Sequence, residues 1–374
     1  FANSAGNSAD LLNKQHNSQN QALNSAKNLT NQLQALIAAY AGLKTIGEAA
    51  SAWEKFDTAT QSAANLTGAA LSDIKQKATD TGLAMDRFAG DVGSAFGLVG
   101  SKMPDLLKMP SAMDSVTRSS ILLAQAAKAT GDVMNDTQGA EAITASLNQW
   151  GVAANDAAYE SEHVANVLAA SAQFGSASIS KVVESLRDSG TVAADAGVSI
   201  EAYNAMVQTL AEKQILGTHA GIALRNALMD LMTKGDRFRE FGINADSVNP
   251  KIVGIQKALE NLQPMLANDA AMVKIFGEEN IVAAKILANK TEKIKDLTAQ
   301  LTGTKTAHEQ ASAGTKMFSV QSEALFANLK NISALTIDNL IGPALAPSLA
   351  AVNEGLTYLA ANSKTVAATI NVAA

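Results

Sequence analysis

Cysteine is absent from the 374 residues, which excludes disulfides and thiolate metal sites. Aromatic residues are only 4% and charged residues only 17%, below the usual charged share of about 25%. A pocket built on stacked rings is therefore not expected. The net charge is −6, so there is no basic surface of the kind general nucleic-acid binding needs, and no sequence-specific nucleic-acid partner is expected. No stretch alternates apolar and polar residues with β-branched enrichment, which argues against a sheet. Long apolar runs are also missing. The uncharged stretch Leu29–Leu43 ends at Lys44 after about 15 residues, short of the ~20 that span a bilayer. It reads as a buried or partner-facing helix, with an interfacial membrane helix as the alternative. The first residue is Phe1 rather than methionine, and the chain is read as a piece of something longer.

What fills the gap is alanine, asparagine, serine and glycine, within an apolar share of 47%. Alanine forms helix well and buries little area. The expectation is an all-α fold, a multi-helix bundle of short glycine-capped helices flanked by longer, coiled-coil-like ones. Four regions follow: an N-terminal helical or coiled lead-in over 1–50, a helical connector over 51–110, a compact helical core over 111–245, and a C-terminal long-helix region over 246–374. The lead-in is polar, with sparse leucines. Pro104 and Pro110 bracket a short linker. Gly90, Gly93, Gly97 and Gly100 mark either a helix touching a neighbour closely or an irregular connection.

From Ser111 to Gly235 the pattern is regular. Val116, Ser120, Leu123 and Ala127 make one stripe; Ala140, Ile143, Leu147 and Trp150 the next; Tyr159, His163, Val167 and Ala170 a third. Gly131, Gly151 and Gly175 end them. Ser178 is placed to cap the helix of Ile179, Val182, Val183 and Leu186, which Gly190 closes. Ser199 is placed to cap a helix carrying Ile200, Tyr203, Val207 and Leu210. Six helices of this length describe a compact all-α unit. Beyond Gly235, Pro250 starts a helix that Pro264 interrupts. Ile281 to about Leu301 resumes a long one, and a last runs from Met317 to Ile341 before an alanine-rich tail.

The most sharply specified stretch is Gln214–Leu228. Gly217 is expected to take the left-handed conformation that closes one helix, and Thr218 to cap the next. Gly221 costs that helix about 1 kcal/mol against alanine, a cost that close backbone approach would offset. Leu224 and Arg225 belong to the same corner, and Leu224 opens the apolar step that Ala227, Leu228 and Leu231 continue. The stretch reads as a packing corner: Gly221→Leu should destabilise by ~1–3 kcal/mol through overpacking. As a DNA-reading helix-turn-helix it would offer a groove only Arg225 and Asn226, in an acidic chain.

Chemistry is otherwise hard to find. The histidines are His16, His163, His219 and His308. Glu160 and His163 have the spacing of a carboxylate-bridged di-iron half-site, but no second pair completes it. His163 therefore reads as an ordinary half-buried histidine, and His219 as a local hydrogen-bonding residue. No HExxH, P-loop or nucleophile elbow is present. No catalytic, metal or cofactor-binding residue is assigned, no cofactor is expected, and an enzyme is not.

Asp188-Ser189-Gly190-Thr191-Val192-Ala193-Ala194-Asp195-Ala196-Gly197-Val198-Ser199-Ile200-Glu201, followed by Gly217-Thr218-His219-Ala220-Gly221-Ile222-Ala223-Leu224-Arg225, resembles the core region of phage tail tape measure proteins. Phe241-Gly242-Ile243 and Ile275-Phe276-Gly277-Glu278-Glu279 resemble its later landmarks, and Trp53-Glu54 stands where an aromatic-glutamate pair begins the region. The resemblance covers roughly residues 50 to 350, and its specificity lies in the order and spacing of common residues. It implies a virion protein inside the tail tube, assembled in the bacterial cytoplasm, that sets tail length and leaves ahead of DNA. It further implies self-association, as a trimer, contacts with tail tube and tip or baseplate proteins, and contact with the host membrane during ejection. Two other classes fit the composition: a secreted α-helical pore-forming or membrane-interacting protein, and a plain helical scaffold or coiled-coil adhesin.

Overall fold

Small side chains set how these helices pack. The computed structural model describes residues 51–314 apart from 53, 66, 67 and 69, together with Ala327. Among these the fold is all-α, with no strand. Those from Lys55 on belong to one compact unit, Lys55–Ile332. The lead-in over 1–50, Trp53, His16, the helix expected over Met317–Ile341 and the alanine-rich tail lie outside the described residues.

A helix over 55–65 (α1) is followed by α2 (Leu71–Ala84) and α3 (Ala89–Lys102), then a 3-10 turn at Pro104–Lys108. The glycine-rich stretch is thus helical. The glycines allow close approach: a Cβ at Gly93 would lie 3.2 Å from the Thr60 methyl of α1. Six helices follow: α4 (Pro110–Ala129), α5 (Asp136–Gln149), α6 (Ala157–Phe174), α7 (Ile179–Asp195), α8 (Ile200–Ala211) and α9 (Gly217–Thr233). They are the six expected from the stripes, but Gly190, expected to close α7, lies inside it: its missing Cβ makes room for the Gln149 side chain of α5, and the helix runs on to Asp195.

The rest is α10 (Gly235–Glu240), α11 (Pro250–Val253), α12 (Ile255–Leu262), α13 (Asp269–Asn289), α14 (Thr291–Leu301) and α15 (Thr306–Gly314). The sequence placed single helices from Pro250 to Pro264 and from Ile281 to Leu301. The first is divided at Gly254, whose φ of +78° is outside helical geometry, and the second at Lys290.

α4 packs on α5 and α6, α9 lies along α7, α14 lies on α8, and α15 covers α4 and α6. Ile121, Leu123, Ile143, Leu147, Leu168, Ile179 and Tyr203 are fully buried at the centre. Buried hydroxyls are interspersed among them. Thr117, Ser120, Thr144, Ser146 and Thr209 each donate to the carbonyl four residues back in their own helix. A core with few aromatic residues can thus bury small polar side chains without leaving donors unpaired. Ser119 and Ser161 meet at 3.0 Å where α4 crosses α6.

The start of α7 differs from expectation. Ser178 flanks α7 but its side chain makes no cap bond; Asp132, from the α4–α5 loop, accepts from the Ser180 amide and hydroxyl at 2.7 Å each. α5 has a full capping box between Asn135 and Gln138.

Candidate functional site

The residues between α7 and α9 form the first concentration of specific geometry. Gly197, at φ +73°, closes α7, with the Gly197 and Val198 amides donating back to Ala194 and Ala193 at 3.0 and 2.9 Å. The Val198 carbonyl accepts the Trp150 indole N–H at 2.9 Å, and Ser199 Oγ accepts from the Ala202 amide at 3.2 Å to cap α8. Three consecutive residues thus end one helix, anchor an aromatic ring and start another. Trp150 meets Tyr203 edge-on, with ring centroids 5.9 Å apart. The buried Tyr203 hydroxyl sits 2.8 Å from Ser189, and burial pushes its pKa well above the ordinary phenol value.

The turn after α8 is built differently from the sequence expectation. Gln214, not Gly217, is the left-handed residue at its end, with φ +62°, and the Ile215 amide donates to the Leu210 carbonyl. Gly217, at φ +56°, is the first residue of α9. Thr218 is exposed, and no side chain caps α9. The physical reason is the direction of α9, which packs along α7 rather than on α8, so residues 212–216 must carry the chain across. The Ser185 hydroxyl of α7 holds the new helix by donating to the Gly217 carbonyl at 2.8 Å. One turn on, a Cβ at Gly221 would lie 2.6 Å from the Ser185 carbonyl oxygen and 2.9 Å from Asp188 Cβ. Leu224 is fully buried and Arg225 exposed.

The later landmarks meet at the far end of α9. Gly242, at φ +79°, ends α10, and the Lys274 ammonium lies 5.6 Å over the Phe241 ring while pairing with Glu240 at 2.7 Å. Phe238 and Phe276, both buried, meet edge-on at 6.1 Å. Gly277 breaks α13 at φ +77°, ψ 162°, a region open essentially only to glycine. Lys234 joins these parts: its ammonium pairs with Asp230 at 2.9 Å and donates to the Ile275 carbonyl. Burial raises the Asp230 pKa, and Lys234 partly offsets that. Sequence reasoning passed over Lys234. Its one signal was a cation just past a helix C-terminus, where carbonyls lack partners. Glu54 is exposed and takes no part in either cluster.

Gln208 was also missed. Fully within the core, its side-chain amide donates to the Ala177 carbonyl at 3.0 Å and accepts from the Ala177 amide at 2.7 Å, fixing the α6–α7 loop. His163 pairs with Glu201 of α8 at 2.9 Å, not with a metal-type partner on its own helix. The hydrogen bond to Glu201 raises the His163 pKa against the opposing effect of burial and holds that of Glu201 down. His308 of α15 reaches Glu162 at 3.0 Å, and His219 is exposed at the start of α9. Among the described residues no three His, Asp or Glu side chains gather as a metal site would require.

A cleft of about 560 Å³ opens beside α3 and α5, lined by Lys55, Arg87, Phe88, Asp91 and Asp136 among others. Its charges face one another. Arg87 bridges both oxygens of the buried Asp136, and Lys55 pairs with Asp91. Desolvation raises the Asp136 pKa more than Arg87 lowers it. Sequence reasoning did not find this pair, whose members are 49 residues apart.

The specific geometry at each cluster holds one helix to another, which defines the class: an all-α protein of packed helices. Residues 101–319, more than half of the chain, match the family described as phage-related minor tail protein. The chain belongs to that family and is a component of a phage tail. No curated protein and no solved structure matches it. The matched segment contains the α7–α9 corner and the landmarks from Gly197 to Gly277, and leaves Trp53 and Glu54 outside.

Proposed function

We propose that this tail protein is the tape measure: it sets tail length during assembly, lies within the tail tube and leaves ahead of DNA at ejection. The observation that carries the reading is the family match over residues 101–319 together with the ordered landmarks inside it. Composition supports it. A cysteine-free chain with few aromatics and small side chains suits passage through a narrow lumen. On this reading the chain's partners are further copies of itself, as a trimer, the tube protein and the tail tip or baseplate, with the host membrane met during ejection. No helix of the described residues is long and apolar enough to cross a membrane.

Geometry limits how the ruler would work. At about 1.5 Å per residue, a wholly helical chain of 374 residues would reach ~560 Å. The helices of the unit Lys55–Ile332 fold back on one another, so the unit measures nothing like that length while compact. The length-setting part then lies outside the unit, or the unit extends in the tube. The test is electron microscopy of particles whose chain lacks about 30 helical residues outside the compact unit. The tail should shorten by ~45 Å. Tails of unchanged length would overturn the assignment. Leakage of liposomes by the purified chain would favour a pore-former instead.

A further inference from the structure

The segment Gly235–Phe276 leaves the bundle at the end of α9 and returns to it at Gly277. Its two ends meet. Lys234, just before it, donates to the carbonyl of Ile275, 41 residues on. In an unbroken helix that carbonyl would accept from the Glu279 amide; the break at Gly277 frees it, and Lys234 takes it. No atom lies within 4 Å of where a Gly277 Cβ would sit, so that side of the bend is open.

Inside the segment the ties are mutual. Phe238 packs on Phe276, Glu240 pairs with Lys274, and Asn261 donates to the Ser247 carbonyl at 2.8 Å. Beyond Gly277 the chain is fixed independently. Asn280 accepts from Asn226 of α9 at 3.2 Å, and Ala283, Ala284, Leu287 and Ala288 are buried. The segment's polar ties to the rest of the described residues are four: Lys251 to Asp195, Gln263 to the Ala288 carbonyl, Asp269 to Lys285, and Lys234 itself. Leu259 and Met272 are buried, and α11 and α12 also touch α9 and α14.

We propose that Gly235–Phe276 opens from the bundle as one unit about Gly277, with the Lys234–Ile275 contact as its latch. The opening exposes the side of the segment that faces the bundle while α4–α9 and the second half of α13 stay folded. The proposal concerns the isolated protein and does not depend on the tape-measure reading.

Hydrogen exchange followed by mass spectrometry on the full chain tests it. In the parent, peptides within 235–276 should share one opening, at least tenfold more populated than that of α4–α8 and of 278–301. The double variant Lys234→Met, Asp230→Asn removes the latch without stranding a carboxylate. It should lower protection in 235–276 about tenfold, the scale of one charge-assisted hydrogen bond, and leave the other helices unchanged. Exchange of 235–276 together with the core in the parent would overturn the proposal. So would a variant that lowers protection equally everywhere, or nowhere.

Discussion

Replacing Gly221 with alanine adds a single methyl group at the crossing of α9 and α7. On an exposed helix the change would gain about 1 kcal/mol, because alanine loses less backbone entropy than glycine. Here the new Cβ would stand 2.6 Å from the Ser185 carbonyl oxygen and 3.0 Å from Ser185 Cα. Both are main-chain atoms inside α7, so no side chain can turn away. Relief requires the helices to separate by roughly 0.5–1 Å, the gap that forfeits a quarter to a half of a dispersion contact. Separation also stretches the Ser185-to-Gly217 hydrogen bond, worth about 1 kcal/mol. With the overpacking cost of ~1–3 kcal/mol, the net expectation is a loss of ~1–2 kcal/mol for alanine and more for leucine. Urea denaturation followed by far-ultraviolet circular dichroism measures it, with Ile222→Ala on the exposed side of the same helix as the control. Gly221→Ala at or above the parent's stability would mean that α9 does not seat on α7 through this glycine.

The remaining expectations use other contacts. Gln208→Ala leaves the buried Ala177 amide and carbonyl without their partner and should cost about 2–4 kcal/mol in the same assay; Gln208→Glu would keep the acceptor but lose the donor and should also destabilise. The His163–Glu201 pair should make stability pH-dependent. Since the folded pKa of His163 is raised, its contribution is complete below the unfolded value of about 6.5 and is lost as pH rises through the folded value. Glu201, held low, contributes above its unfolded pKa and loses that contribution as pH falls through the folded one. The melting temperature of the parent should therefore fall more steeply between pH 6 and 8 than that of His163→Gln, and parallel curves for the two would refute the pairing.

How much of this was legible in the sequence follows from the range of the interactions. Helix extents depend on neighbours three or four residues away, and the glycine stops Gly131 and Gly151 each take positive φ in the structure, whereas Gly190 lies inside α7, which Gly197 ends. The six central helices could be read for that reason. The partner of a helix face is a different matter. The close contact at Gly221 could be inferred from a glycine one turn into a helix, but its partner, α7, could not, since adjacency in sequence pointed to α8. Gly217 takes the positive φ expected of it, but at the start of α9; the residue that closes α8 is Gln214, because residues 212–216 carry the chain across to α7.

Polar side chains that serve main-chain atoms are the least visible of all. Gln208 clasps Ala177, Lys234 takes the Ile275 carbonyl, Asp132 caps α7, and Trp150 donates to Val198. In each pair one partner is a backbone group that every residue carries, so the sequence holds no matching letter to look for. A chain poor in charge and aromatics relies on such contacts because it has few side-chain pairs to offer. Its specificity is written half in side chains and half in the places where helices end. Gly197, Ser199, Gly242 and Gly277 all sit where a helix starts, stops or breaks. Those are the points at which unpaired amides and carbonyls must find partners, and a substitution there disturbs two helices at once.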